Sequence, residues 1–169
     1  KHPSTRRHSE RVAALAAELA VELGWPPSRV SELREAALLH DVGKIGVPEE
    51  LLTTPRALAP HELDRMRAHV EMGERILAET LSAEQLSWVR GHHERWDGDG
   101  YPDGLRAGDC PEGARILALA EAWDVMTSER PYAPVPLTHP DAIAECRALS
   151  GTQFWPPAVE ALARIRGGA

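Results

Sequence analysis

Apolar residues recur along most of this chain with the spacing of an α-helix. The clearest stripe, at i, i+3, i+4, i+7 and i+11, consists of Val12, Leu15, Ala16, Leu19 and Leu23. Such spacing places every apolar side chain on one face of a helix, where a core can cover it. We expect Gly24 and Pro26–Pro27 to end this helix and Ser28 to cap the start of the next one.

Helical periodicity continues downstream, interrupted by segments that are rich in glycine and proline. The second stripe is Val30, Leu33 and Ala37, and a loop with Gly43, Gly46, Pro48 and Pro55 follows it. Later helices are expected near His61 and over residues 72–79, 83–93, 114–128, 141–149 and 158–165, with one long ordered loop between 96 and 112. The sequence has no convincing alternating strand. It therefore predicts a single all-α domain, a bundle of about six or seven helices.

Composition narrows the choice of ligand for such a bundle. The formal net charge is −7, so the domain is poorly suited to hold a nucleic-acid polymer, and an anionic substrate would need positive charge from bound metal. No apolar run approaches the roughly 20 residues of a membrane span, and Cys110 and Cys146 form no paired motif. We expect a cytoplasmic protein without a membrane partner, and we interpret a chain that starts at Lys1 as a piece of a longer protein.

Five of the eight histidines lie on or beside the apolar faces of predicted helices. They extend the stripes of four helices and are His8, His40, His69, His92 and His93. A single buried histidine is usually a hydrogen-bonded core residue, but several that converge are costly to bury without partners. A metal ion would satisfy them together, and imidazole with carboxylate suits Fe, Mn, Zn or Ni.

Carboxylates that would complete a metal site accompany these histidines. Asp41 directly follows His40 and is placed to bridge two ions. On the helix predicted over 114–128, Glu121 and Asp124 are three residues apart and share one face, so spacing alone does not choose between them. Two ions about 3.5–4 Å apart suit in-line displacement at phosphorus. The sequence therefore predicts the binuclear centre of a phosphohydrolase.

Two long motifs indicate which kind of domain carries this centre. Residues 40–48, HDVGKIGVP, and residues 92–102, HHERWDGDGYP, resemble the two signature blocks of HD-GYP domains. Shorter matches at His8-Ser9-x-Arg11-Val12, Met66-Arg67-x-His69 and Thr127-Ser128-x-Arg130-Pro131-Tyr132 extend the resemblance over nearly the whole chain. The resemblance implies that residues 1–169 are an HD-GYP domain of the helical HD superfamily, cut from a longer chain with an upstream sensor or receiver domain.

HD-GYP domains are bacterial signalling phosphodiesterases that open cyclic di-GMP, or in some members a related cyclic dinucleotide, to the linear dinucleotide or to GMP. The resemblance implies the same reaction here, with a metal-bound hydroxide as nucleophile and two divalent ions as cofactors, Fe or Mn before Zn or Ni. It implies metal ligands at His8, His40, Asp41, His69, His92, His93 and Glu121. It makes Asp41 and Lys44 the candidate catalytic residues and Arg130, Gly98, Gly100 and Tyr101 the candidate substrate contacts. A homodimer and a signalling partner protein are also compatible with this family.

Several positions depart from the family pattern. The last ligand is normally Asp, where this chain has Glu121, and Lys commonly follows the Arg-Pro-Tyr block, where it has Ala133. Ser4 replaces a glutamate that some members use for a third metal, so we expect two ions. These departures leave open a degenerate module that binds a nucleotide or a partner protein with little catalysis. A hydrolase for another phosphate ester is a third interpretation, and Lys44 could equally be a surface ion-pair residue.

Overall fold

A computed structural model describes residues 3–54, 56–129 and 135–167, with side chains from residue 6 onward. The α-helices of these residues are α1 (Pro3–Glu22), α2 (Pro27–Leu39), α3 (Glu49–Thr53), α4 (Pro60–Arg67), α5 (His69–Leu77), α6 (Ala83–Arg90), α7 (Glu112–Thr127), α8 (His139–Ala148) and α9 (Pro156–Arg166). Short 3-10 helices, Val42–Gly46 and Ala107–Asp109, lie within two connections. The described residues contain no strand, which confirms the all-α prediction, and short segments such as α3 add to the six or seven helices expected.

The buried faces of α1 and α7 form the centre of the core. On α1, the predicted stripe is buried from Val12 to Leu19, with each of its first four members at most 4% exposed. Facing it, α7 contributes Ile116, Leu117 and Leu119, which are fully buried in the same cluster. Each large apolar side chain buried in this way contributes roughly 1.5–3 kcal/mol. The packing of α1 on α7 fixes the faces that carry His8 and Glu121, two of the predicted ligands, relative to each other.

The connection between α1 and α2 ends the first helix as predicted and starts the second one differently. Gly24 has a φ of +81°, a left-handed conformation that commonly ends helices and that glycine adopts without strain. Ser28 does not cap the next helix, because α2 begins at Pro27 and its N-cap is Pro26. Proline suits the first helical position, since its φ is already helical and it has no N–H that needs an acceptor.

Two observations bear on the surroundings of the domain. None of the described helices is long and apolar enough to cross a bilayer. The cysteines are separate free thiols, and burial raises the pKa of both Cys110 and Cys146 to about 11. Thiols with so high a pKa are poor nucleophiles and poor metal ligands, so neither cysteine adds chemistry to the fold.

Candidate metal centre

Four of the five histidines predicted as ligands lie at the ends of helices. His40 follows the last residue of α2, His69 is the first residue of α5, and His92 and His93 lie just beyond the end of α6. Among the five, His8 alone lies inside a helix, α1. The apolar stripes identify the helix faces that turn toward the core, and the ligands meet where the ends of those helices converge.

Three of these histidines use one ring nitrogen in the same way. In each, Nδ1 donates a hydrogen bond to the backbone carbonyl three residues earlier, in the last turn of the preceding helix. Carbonyls of a last turn lack an N–H partner inside their own helix, so the ring satisfies them. A neutral imidazole with its proton on Nδ1 has a free lone pair on Nε2. The three pairs are His40–Ala37 at 2.6 Å, His69–Met66 at 2.7 Å and His92–Val89 at 2.5 Å.

The opposite atoms of the same side chains have no partner in the described part of the chain. Nε2 of His40, His69 and His92 and Oδ1 of Asp41 are buried and make no hydrogen bond. Orphaned polar atoms of this kind are rare and cost free energy, so a cluster of them indicates a ligand. Imidazole lone pairs and carboxylate oxygens that face one another fit divalent ions of the Fe, Mn, Zn and Ni group.

All seven predicted ligands contribute to two adjoining groups. Within each group, one potential ligand atom from every residue lies within 4.8 Å of the others. The first group is His69, His92 and His93, and the second is His8, His40, Asp41 and Glu121. The two groups are neighbours, since the rings of His40 and His92 have centroids 5.1 Å apart. The fold therefore brings the seven residues together, while their role as ligands stays a prediction.

Asp41 lies between the two groups and faces both of them. Its Oδ2 is 3.5 Å from Nε2 of His40, and its Oδ1 is 3.5 Å from Nε2 of His69. One carboxylate thus offers an oxygen to each group, as a bridging ligand must. Lys44 donates from Nζ to Oδ2 of Asp41 at 2.7 Å, so its ion-pair partner is a residue of the centre and the ammonium lies beside the cluster.

Burial and neighbouring charges set the charge states of the predicted ligands. Burial lowers the pKa of His69 and His92 and brings the pKa of His93 to about 3. These imidazoles are neutral at ordinary pH and hold no proton that a metal must displace. Burial alone would raise the pKa of Asp41, but His40 and the Lys44 ammonium outweigh it and hold that pKa below its usual range. For Glu121 burial prevails, and the pKa is raised.

Metal-free protein should lose stability as the pH falls from about 7.5 to about 5.5. The unfolded chain takes up protons on His69, His92 and His93 near their ordinary pKa of 6.5, whereas burial keeps them neutral in the folded domain. Because the unfolded state binds more protons, each histidine favours unfolding by roughly 1 kcal/mol over this range. The raised pKa of Glu121 acts in the opposite direction, and three histidines outweigh one carboxyl group.

Urea unfolding of chelator-treated protein at the two pH values measures this effect. The urea midpoint should be lower at the acidic pH. His61→Gln, which changes an exposed histidine outside the cluster, should leave the difference unchanged. Equal midpoints at both pH values in the unsubstituted protein would show that the cluster histidines are not held neutral.

Spacing leaves open whether Glu121 or Asp124 is the last ligand, and the position of the two side chains favours Glu121, whose role as a ligand stays a prediction. Glu121 belongs to the second ligand group, whereas Asp124 lies behind His8 and accepts a hydrogen bond from its Nδ1 at 2.6 Å. Arg11 Nε and Ser128 Oγ donate to the other oxygen of Asp124 at 2.5 and 3.0 Å. Burial opposes ionisation of Asp124, but the hydrogen bonds from His8 and Arg11 prevail and lower its pKa. Asp124 therefore orients His8, a role that sequence reasoning missed because the two residues lie 116 positions apart.

The glycines and tyrosine predicted as substrate contacts shape the loop that follows His93. Gly98 has a φ of +87°, and a Cβ added at Gly100 would lie 2.4 Å from the backbone nitrogen of Arg95. Tyr101 stacks on the ring of His93 with centroids 4.7 Å apart, and its N–H donates to the carbonyl of His93. These three residues hold the loop against a predicted ligand, and their contact with substrate stays a prediction.

A second residue that sequence reasoning missed ties this loop to the metal centre. Glu94 directly follows His93 and is 4% exposed. Its carboxylate accepts hydrogen bonds from three consecutive backbone N–H groups farther along the loop, those of Asp103 at 2.8 Å, Gly104 at 3.1 Å and Leu105 at 3.0 Å. The motif HHE contained the signal, but the partners of Glu94 are backbone atoms that only the folded loop brings together.

Glu94→Ala should destabilise the domain by roughly 2–3 kcal/mol, because three N–H groups lose a charged acceptor and part of that loss is offset by water. The free energy of urea unfolding measures the effect. Glu79→Ala, at an exposed position near the end of α5, is the matched control and should change stability by less than about 0.5 kcal/mol. An equally small change in Glu94→Ala would mean that the loop keeps its shape without this carboxylate.

Comparisons with known proteins agree with the geometry. The family model described as HD domain matches residues 1–157. The chain belongs to the HD domain family. A cyclic di-GMP phosphodiesterase of Thermotoga maritima is 42% identical over 167 residues, which are 95% of this HD domain and 44% of the relative. A 3′3′-cGAMP-specific phosphodiesterase of Vibrio cholerae is 37% identical over 163 residues, which are 94% of this HD domain and 31% of the relative.

The length and the fold of these relatives set the scope of the comparison. This HD domain spans less than half the length of the two curated relatives. An HDG"Y"P protein of Bdellovibrio bacteriovorus has a solved structure that matches with a TM-score of 0.76 at 24% identity, over 97% of this HD domain and 53% of that chain. At that identity the likeness shows the fold alone. Together the relatives confirm the resemblance to HD-GYP domains that the motifs indicated.

Three positions named from the sequence fall outside what the structure describes. Arg130 and Ala133 lie between the described segments, and the side chain of Ser4 precedes the first described side chain. It stays a prediction that Arg130 contacts the substrate of this HD domain. It also stays a prediction that Ala133 removes such a contact. The expectation of two ions, which depends on Ser4, also stays a prediction.

Proposed function

We propose that this HD domain hydrolyses a phosphodiester bond of a cyclic dinucleotide, with cyclic di-GMP as substrate and the linear dinucleotide or GMP as product. The observation that carries the proposal is Asp41, which presents one oxygen to each of two groups of orphaned ligand atoms. This arrangement suits two metal ions that share a carboxylate. Centres of that kind act on phosphate esters by in-line displacement.

The chain offers different donors for the two ions. His69, His92 and His93 with one oxygen of Asp41 would hold the first. A second set, His8, His40 and Glu121 with the other oxygen of Asp41, would hold the second ion. Nitrogen and oxygen donors together suit Fe or Mn, with Zn or Ni as alternatives. When bound, the ions supply an acidified water and positive charge at the phosphate.

Lys44 adds positive charge beside the predicted ligands, and the exposure of the histidines indicates the side from which substrate approaches. Lys44 is an ammonium beside Asp41 whose side chain is 28% exposed, so it can reach a substrate phosphate while it stays next to the cluster. Within the first ligand group His92 is buried, whereas the side chain of His93 is 22% exposed. The substrate therefore approaches from the side of His93 and Tyr101, the two stacked rings.

The substrate class follows from the loop and from the relatives. The Gly98–Pro102 loop is tied to the metal centre through Tyr101 and Glu94. The relatives that are 42% and 37% identical to this HD domain are named for cyclic di-GMP and for 3′3′-cGAMP. Both substrates are cyclic dinucleotides with two phosphodiester bonds and at least one guanine.

One observation favours a second candidate, a degenerate module that binds a nucleotide or a partner protein with little catalysis. Glu121 occupies the second ligand group where the family has the shorter Asp, and its pKa is raised by burial. A proton on this carboxyl would compete with a metal ion for the same oxygen. The second ion would then be held more weakly than the first.

Elemental analysis and turnover of anaerobically prepared protein test the proposal. We expect about two transition-metal ions per chain and hydrolysis of cyclic di-GMP, with 3′3′-cGAMP, cyclic di-AMP and bis(p-nitrophenyl) phosphate as comparison substrates. Metal-loaded protein that binds cyclic di-GMP without cleaving it would favour the degenerate module. Cleavage of the simple ester alone would favour a hydrolase for another phosphate ester. Homodimers and signalling partner proteins remain predictions of the family resemblance.

A further inference from the structure

A cavity of about 370 Å³ opens directly beside the metal centre. The residues that line it include His92 and His93 of the first ligand group and Glu121 of the second. From there it extends outward between α7 and the segment that carries α8 and Gln153. A chemical group in this cavity would therefore lie next to a substrate bound at the metal centre.

The walls of the cavity suit a flat, largely apolar group. One wall is the face of α7 that carries Ala122, Val125 and Met126, and the facing wall includes Leu149 and Phe154. Val125 is 43% exposed, so this wall is available for cover by a ligand. Purine bases have apolar faces and polar edges, and apolar side chains commonly hold such faces in binding pockets.

One acceptor on the rim of this cavity has no partner among the residues that the structure describes. Glu145 of α8 lines the cavity, and its carboxylate makes no hydrogen bond or ion pair with any part of the chain that the structure describes. The nearby cation does not neutralise it, because Arg95 is bound by both oxygens of Asp97 at 2.9 and 2.6 Å and also donates to Gln153. Glu145 is therefore free to accept hydrogen bonds from a ligand.

The chemistry of this acceptor distinguishes the two purines. A carboxylate has acceptors and no donor, and it matches the adjacent N1–H and N2–H₂ donors of guanine. Adenine presents an unprotonated N1 on the same edge, so a carboxylate there would face an acceptor. Glu145 is exposed in the free protein, and a base seated in the cavity would cover its carboxylate. A covered acceptor that meets the wrong edge leaves polar groups unpaired, which discriminates between ligands.

We infer that this cavity binds one guanine of the cyclic dinucleotide, and that Glu145 selects guanine over adenine. The inference rests on the proposed function, because a phosphodiester held at the metal centre is what places a base in the adjoining cavity. Glu145 reads the Watson–Crick edge, while Val125 and Met126 cover the face of the ring.

Glu145→Gln tests the inference, because a carboxamide offers an NH₂ donor beside its carbonyl acceptor. This pair matches N1 and N6–H₂ of adenine, whereas one of the two guanine donors loses its acceptor. With metal-loaded protein, kcat/KM for cyclic di-GMP should fall about tenfold while that for cyclic di-AMP stays equal or rises. Dissociation constants for GMP and AMP, measured by calorimetry, should shift in the same directions. Glu160→Gln removes an exposed carboxylate from α9, away from the cavity, and should change neither ratio.

The outcomes separate this inference from the proposed function. An unchanged ratio of cyclic di-GMP to cyclic di-AMP turnover in Glu145→Gln would overturn it, and so would an equal loss for both substrates. If unsubstituted protein cleaves no cyclic dinucleotide, the proposed function fails. The dissociation constants for GMP and AMP then test the guanine site on their own. If the unsubstituted protein binds GMP more tightly than AMP and Glu145→Gln does not, the guanine site is still supported. If the unsubstituted protein binds GMP and AMP equally, the guanine site is refuted.

Discussion

Asp41→Ala is expected to lower kcat/KM for cyclic di-GMP by about a thousandfold or more, with the domain still folded. Asp41 places one oxygen 3.5 Å from a histidine of each ligand group, so its loss would remove a donor from both metal positions at once. A metal pair contributes several kcal/mol to a transition state at phosphorus, and each 1.36 kcal/mol is tenfold in rate. Turnover, metal content and the circular dichroism spectrum of the same preparation measure the result.

The fold should survive this substitution because Asp41 contributes charge and no apolar packing to the core. Lys44 loses its partner, but it is partly exposed and water can solvate its ammonium. Asp109→Ala, at an exposed position in the second 3-10 helix, is the control and should keep full activity. Full activity in Asp41→Ala would remove the two-metal mechanism for this domain.

Glu121→Asp is expected to raise metal content and to increase phosphodiesterase activity about tenfold, the scale of effects seen when a ligand environment is altered. The position of α7 is fixed by Ile116, Leu119 and Trp123, which are buried in the core. The helix cannot shift to accommodate an extra methylene, and ligand placement must hold to about 0.5 Å. Glu121 must therefore fold back, bind through one oxygen or displace the ion.

Metal stoichiometry and cyclic di-GMP turnover, measured on Glu121→Asp and on unsubstituted protein prepared in parallel, decide the question. The gain in metal should be confined to one ion per chain, because the three histidines of the first group are unaffected. Glu160→Asp makes the same chemical change at an exposed site and should alter neither quantity. Less metal or slower turnover in Glu121→Asp would mean that the centre is built around the longer side chain.

That the residues of the candidate metal centre lie together was predictable from the sequence because their pattern is local. His40–Asp41 and His92–His93 are adjacent pairs that follow α2 and α6, and the apolar stripes of these helices predict which faces turn toward the core. Helix ends were less predictable: the helix expected over 83–93 ends at Arg90, and Gly91 caps it. Because α6 ends earlier than expected, His92 and His93 lie beyond the helix, in the first ligand group.

The supporting residues could not be predicted because their partners are far away in sequence or belong to the backbone. Asp124 bonds to His8, which lies 116 positions earlier. Glu94 binds N–H groups that line up only after the loop has folded around it. Nothing in periodicity or composition encodes either contact. The free acceptor of Glu145 likewise becomes visible only when α8 is placed beside the cavity.

The histidines that bond to the last turn of the preceding helix also restrict how the length of this chain can change. A residue inserted between the core-facing Leu33 and His40 would rotate the imidazole by about 100° about the axis of α2, while Leu33 kept its place in the core. The same holds between Trp88 and His92. Insertions and deletions in related sequences should therefore avoid both stretches and accumulate in connections such as the one between α3 and α4, where no ligand is displaced.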